Sequence, residues 1–79
     1  MSVKLYSTPS CGYCKMIKSY FRERGVKFTE YNVASDERKQ AEMQYKSRQM
    51  GVPVIDFNGK IIVGFKKDQL DRLIHNLKD

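Results

Sequence analysis

Val3-Lys4-Leu5-Tyr6-Ser7-Thr8-Pro9-Ser10-Cys11-Gly12-Tyr13-Cys14 passes from a strand pattern to a pair of cysteines, and a helical pattern at Met16, Ile17, Tyr20 and Phe21 follows at once. Val3 and Leu5 alternate with Lys4 and Tyr6, which predicts a short strand, and Thr8-Pro9-Ser10 breaks it. The two cysteines are the only ones in 79 residues, and their placement predicts a dithiol/disulfide redox site. The reason is electrostatic. Unpaired backbone N–H groups and the positive end of the helix dipole stabilise an anion at a helix start, so Cys11 there ionises more readily than a free thiol. Cys14 falls in the first helical turn, within reach of the Cys11 sulfur. A mixed disulfide formed on Cys11 can then be attacked by Cys14, which releases the substrate reduced and leaves an intramolecular disulfide.

Three other roles for the pair fit less well. As a structural staple it closes so short a loop that the chain-entropy gain is only roughly 2 kcal/mol, and short extracellular frameworks carry several bridges. As a zinc site it is half a site: there is no second Cys pair, and His75 stands alone near the C-terminus. Inert core cysteines would each sit in an apolar run, whereas these flank Gly12 and Tyr13 beside Pro9 and Ser10.

At 79 residues the chain is expected to form one domain over residues 1–79, small enough that every regular element must contribute to a single core. Met1-Ser2-Val3-Lys4-Leu5 enters a strand pattern without an apolar leader region, and no apolar run approaches the length of a membrane span. A cytoplasmic location and no membrane association are therefore expected. The formal charge of +6 comes from Lys and Arg spread over the whole chain, with no aromatic-interleaved basic block. A solvated basic surface with a bias toward acidic partners is expected, and nucleic-acid binding and a metal site are not. A monomer is the expected state.

Helix one is expected to run to about Arg24, with Gly25 as its stop. Phe28 to Val33 reads as a second strand, and a right-handed crossover makes it parallel to the first. Ser35 is the expected cap of a second helix reaching about Gln49, with Asp36 and Glu37 in its first turn. Its expected packing residues are Ala41, Met43, Tyr45 and Met50. Val54 to Phe57 and Lys60 to Val63 flank Asn58-Gly59, a strong hairpin signal. A last helix carries the stripe Leu70, Leu73, Ile74 and Leu77, with His75 off it as a solvated side chain. The order β-α-β-α-β-β-α makes an α/β fold with a four-stranded mixed sheet covered by three helices, close to the minimal thioredoxin-like architecture.

With the motif, the hairpin and their spacing in place, the whole chain resembles a glutaredoxin. Tyr6 to Cys14 resembles that family's active-site segment, Gly51-Val52-Pro53 its cis-proline element, and Phe57 to Gly64 its terminal hairpin. The resemblance implies thiol-disulfide oxidoreductase activity on protein or glutathione mixed disulfides. It makes Cys11 the nucleophile, Cys14 the resolving thiol, and the two together a redox-active disulfide. It also implies a cis Val52-Pro53 bond facing Cys11, with the Val52 backbone pairing like a strand with the cysteinyl part of glutathione; most X-Pro bonds are trans, so the cis form rests on the resemblance. Gly64 belongs to the same implied site; Asp68 would bind the glutathione amino group or is only a favourable charge at a helix start, and Arg48, Lys66 and Lys67 either meet its carboxylates or are solvated. Tyr13 either faces substrate or begins the buried stripe of helix one.

The chain also departs from the family. A lysine often precedes the nucleophile by three residues, where Thr8 stands, leaving Lys15 as the nearest basic substitute. Gly51 replaces the usual threonine before Val-Pro. Gly64-Phe65-Lys66-Lys67-Asp68 is closer to the Gly-Phe-Arg-Pro-Asp of ribonucleotide-reductase-associated redoxins, which thioredoxin reductase reduces. Gly12 is thioredoxin-like and Tyr13 glutaredoxin-like. The electron donor is accordingly glutathione or thioredoxin reductase, and disulfide-containing proteins, ribonucleotide reductase among them, are the implied partners. The rival reading is a dimer carrying a [2Fe–2S] cluster on Cys11 and glutathione thiols.

Overall fold

Strand β1 (Val3–Ser7) is longer and more buried than simple alternation predicts: Tyr6 and Ser7 are buried together with Val3 and Leu5. The reason is its position. Residues 2–77 are described in the computed structural model, and there β1 lies inside a sheet of order β2-β1-β3-β4 with helices on both faces. A central strand has no solvent side, so the alternation sorts its residues between two cores.

The elements follow in the expected order: β1, α1 (Gly12–Glu23), β2 (Thr29–Asn32), α2 (Glu37–Ser47), β3 (Val54–Phe57), β4 (Lys60–Val63) and α3 (Lys67–Leu77). β2 runs parallel to β1, while β3 and β4 are antiparallel additions on its other side. On one face Val3, Leu5, Ile55, Phe57 and Ile62 pack against Ile17, Tyr20 and Phe21 of α1 and Leu70 and Ile74 of α3. On the other face Tyr6, Val33 and Val54 pack against Met43 of α2. Val3 to Phe57 and Tyr6 to Val54 are paired across β1 and β3. That register brings the start of β3 beside the end of β1, next to the segment that carries the cysteines.

Local chemistry sets the element ends. Gly25 takes a left-handed φ of 67° after α1, with Gly25 N–H donating to Arg22 C=O and Val26 N–H to Phe21 C=O, a Schellman stop. Asn58 and Gly59 both have positive φ, as a two-residue hairpin turn of this twist requires, and Asp56 Oδ1 accepts the Gly59 N–H at 2.8 Å. Two expectations for α2 are corrected. Its cap is Asp36, not Ser35: the Asp36 carboxylate accepts the Lys39 N–H at 3.1 Å. The helix ends at Ser47, because Arg48 turns left-handed at φ 57° and sends the chain back toward the sheet. Of its four expected packing residues only Met43 is buried, while Ala41, Tyr45 and Met50 are exposed. One buried side chain is all that so narrow an apolar face supplies.

A polar cluster strengthens that thin contact. Lys46 Nζ lies 2.7 Å from Asp56 Oδ2 and 3.1 Å from the Tyr6 hydroxyl, which itself donates to Glu42. Burial alone would raise Asp56, but the Lys46 bond and the Gly59 N–H outweigh it and hold the carboxyl below its usual range. Burial and the bond to Glu42 push Tyr6 up to about 12. In α3, Leu70 and Ile74 are buried, Leu73 is partly buried and His75 is exposed, while the side chain of Leu77 lies outside the described residues. No described helix is long and apolar enough to cross a membrane.

Candidate active site

The turn after β1 delivers Cys11 to the start of α1. Cys11 N–H donates to Thr8 C=O at 3.2 Å, and Cys11 then occupies the N-cap with extended backbone, φ −82° and ψ 110°. Its sulfur takes the place a serine or aspartate oxygen usually holds, accepting the Cys14 N–H at 3.1 Å. No acidic side chain lies in the first turn to oppose a negative charge there. Cys11 and Cys14 form a disulfide, with Cα atoms 5.2 Å apart. The two sulfurs differ in access: Cys11 is partly exposed and Cys14 is 1% exposed.

The buried stripe of α1 is Cys14, Ile17, Tyr20 and Phe21. Met16, expected in it, is 51% exposed, because the inward face is set by Cys14, Ile17 and Phe21 and Met16 lies about 200° round the helix from Cys14. Tyr13, for which two positions were open, is 62% exposed beside the disulfide and takes no part in the core. Val52-Pro53 is cis, as the resemblance implies. Pro53 is buried, Val52 is partly exposed, and Pro53 C=O accepts the Gly64 N–H at 2.9 Å, which ties the end of β4 to the proline loop. Gly64 adopts φ 83°, a left-handed conformation that favours glycine.

The charged residues expected to contact glutathione are all exposed. Arg48 forms the exposed C-cap of α2, and Lys66 and Asp68 are exposed at the start of α3. Among the described residues, Arg48, Lys66 and Asp68 make no ion pair, and none of them bonds to the disulfide. Lys67 is paired with Asp71 at 2.9 Å. Lys15 is exposed, one residue beyond Cys14.

Sequence reasoning missed a polar group beneath the motif. Ser7, buried at the end of β1, donates to Glu30 Oε2 at 2.6 Å, and Lys18 of α1 meets the same oxygen at 3.1 Å. The Ser7 bond, with burial opposing and Lys18 assisting, holds the Glu30 carboxyl below its usual range. These residues join β1, β2 and α1 under a depression of about 290 Å³ also lined by Thr8, Pro9, Lys15 and Asn32. No periodic signal links positions 7, 18 and 30, since only the parallel pairing of β1 and β2 brings them together.

The family model for glutaredoxins matches residues 3–62. The chain belongs to the glutaredoxin family. A glutaredoxin-like 8.6 kDa protein from the rubredoxin operon of Clostridium pasteurianum is 47% identical over 72 residues, which is 91% of this chain and 96% of that protein. Among solved structures, a glutaredoxin of Archaeoglobus fulgidus superposes with a TM-score of 0.84 at 22% identity, covering 92% of this chain and 85% of the other; at that identity the likeness speaks for the fold. The glutaredoxin-like NrdH-redoxin of Escherichia coli superposes with a TM-score of 0.81 at 26% identity, over 92% and 95% of the two chains. This member of the family is thus a redox protein of thioredoxin fold with a CxxC pair held as a disulfide.

Proposed function

We propose that this glutaredoxin reduces protein or glutathione mixed disulfides by dithiol exchange. The observation that carries this is the asymmetry of the pair: an accessible Cys11 sulfur at a helix N-cap, already accepting a backbone N–H, and a buried Cys14 bonded to it. In the reduced protein the Cys11 thiolate attacks one sulfur of the substrate disulfide, a Cys11–substrate bond forms, and the other half leaves as a thiolate. Cys14, as it loses its proton, attacks Cys11; the substrate thiol departs and the Cys11–Cys14 disulfide forms. Two electrons have then passed from the dithiol to the substrate. Two thiols of a reductant restore the dithiol and are themselves oxidised to a disulfide. The exposed Tyr13, the Val52 and Pro53 loop, Gly64, Arg48, Lys66 and Asp68 are the residues offered to the substrate at this end of the sheet.

Glutathione is the proposed reductant. A second reading, thioredoxin reductase, is supported by the redoxin-like stretch Gly64 to Asp68, and the Escherichia coli neighbour is described as having a thioredoxin-like activity profile. A cluster on Cys11 and glutathione would have to form on the reduced protein, where Cys14 competes for that sulfur by closing the disulfide. The test is turnover of a model mixed disulfide with NADPH and either glutathione plus glutathione reductase or thioredoxin reductase. Turnover in one system that Cys11→Ser abolishes supports the proposal; a wild type inactive in both, or a fully active Cys11→Ser, overturns it.

A further inference from the structure

Gln49 has no place in the chemistry above, yet its side chain is the most fully engaged polar group near the proline loop. Its Oε1 accepts the Gly51 N–H at 2.7 Å, and its Nε2 donates to Gly51 C=O at 2.9 Å and to Ser47 Oγ at 3.1 Å. Ser47 Oγ in turn donates to Met43 C=O at 2.7 Å, anchoring the arrangement to the last turn of α2. A carboxamide has the donor and acceptor of a peptide group, so Gln49 pairs with Gly51 as a neighbouring strand would. On the other side, Pro53 C=O is taken by the Gly64 N–H. Of residues 51 to 53 only Val52 is left with backbone polar groups that have no protein partner among the described residues.

Gly51 is part of the same device. A Cβ at position 51 would lie 3.0 Å from Gln49 Oε1, so a side chain there requires the carboxamide to give by a few tenths of an ångström, which loosens its hold on the Gly51 backbone. This gives a physical reason for glycine where the sequence departs from the family's threonine.

We infer that Gln49 is a positioning residue: by clamping both backbone groups of Gly51 it fixes Val52 so that its N–H and C=O are presented to the backbone around the cysteine of a peptidic substrate, glutathione included. The inference rests on the proposed disulfide exchange and adds to it a determinant of substrate class. The Val52 pairing itself is what the resemblance implies; the clamp makes the strength of that pairing depend on Gln49. A thiol without a peptide backbone gains nothing from the clamp.

The test compares two mixed disulfides of one reporter thiol, one with glutathione and one with cysteamine, which has no peptide group. Turnover is measured for wild type, Gln49→Ala, Gly51→Ala and the double variant, using whichever reductase supports the wild type. For the glutathione substrate Gln49→Ala should raise KM about ten-fold, the effect of one or two net hydrogen bonds, and Gly51→Ala should raise it by less, with kcat little changed in both. For the cysteamine substrate kcat/KM should stay as in wild type. The double variant should be no worse than Gln49→Ala alone, since both changes act on the same clamp. Equal losses on the two substrates would show that Gln49 merely holds the fold, and no loss on either would show that it positions nothing; both results overturn the inference. Failure of the functional reading is recognised separately, by a wild type that turns over neither substrate.

Discussion

Reducing the disulfide releases Cys11 Sγ into a site built for an anion, and the size of the effect can be worked out. The Cys14 N–H already points at that sulfur from 3.1 Å. As a hydrogen bond to a charged group it is worth about 1.5–3 kcal/mol, and the helix dipole adds about 0.3–1 kcal/mol at an exposed terminus. Taking about 2–3 kcal/mol for a partly exposed sulfur, and 1.36 kcal/mol per unit, Cys11 should titrate roughly 1.5–2 units below the ordinary thiol value of about 8.5. Cys14 should not, because it is buried and donates the bond that Cys11 receives. The assay is alkylation of the reduced protein by iodoacetamide across a pH series, with the modified residue located by peptide mass. A Cys11 that reacts with the profile of a free thiol would refute the N-cap argument.

Further outcomes follow from the same geometry. Thr8→Lys should move the Cys11 midpoint lower still, since a cation at the turn before the motif favours the thiolate; the same alkylation series reads it. Asp56→Asn should cost about 2–3 kcal/mol, somewhat less than a fully buried pair because Lys46 keeps some solvent contact; urea unfolding measures it, and a loss below about 0.5 kcal/mol, the level of a surface pair, would contradict the role of this pair. Glu30, Glu42 and Asp56 are all held below their usual range, so the stability they add is present above ordinary carboxylate values and should fade as pH drops through their folded values. Tyr6 is raised from 10.0 to about 12, and the bonds from Lys46 to Asp56 and Tyr6 outweigh its burial and hold Lys46 above its ordinary 10.5, so a second fall should begin as pH passes about 10. Thermal unfolding across pH should therefore show a plateau with two flanks; a curve still rising above pH 10 would contradict this.

Much of this was legible in the chain because the strongest signals are local. The Asn58-Gly59 turn marked both hairpin strands to the residue, and the cysteine pair marked the start of α1. What escaped the reading depends on tertiary position. Alternation sets Tyr6 on the face opposite Val3 and Leu5, and because β1 is a central strand that face is buried too. Tyr45 and Met50 were assigned inward on hydrophobicity, but α2 touches the sheet through Met43 and the Lys46–Asp56 pair. Gln49 left no trace in any period, since its bonds run from side chain to backbone across a bend. For the site, the cysteines form a disulfide and the Val52-Pro53 bond is cis, whereas Arg48, Lys66 and Asp68 are exposed, and the roles of all of these residues rest on the proposal.

The division of labour between the cysteines is the central claim, and trapping tests it most directly. Cys14→Ser keeps the N-cap nucleophile and removes the resolving thiol, so incubation of the reduced variant with oxidised glutathione should give one glutathione adduct, located on Cys11 by peptide mass. Cys11→Ser, treated in the same way, should stay unmodified, since Cys14 is 1% exposed. An adduct on Cys14 in the second variant, or none on Cys11 in the first, would contradict the account.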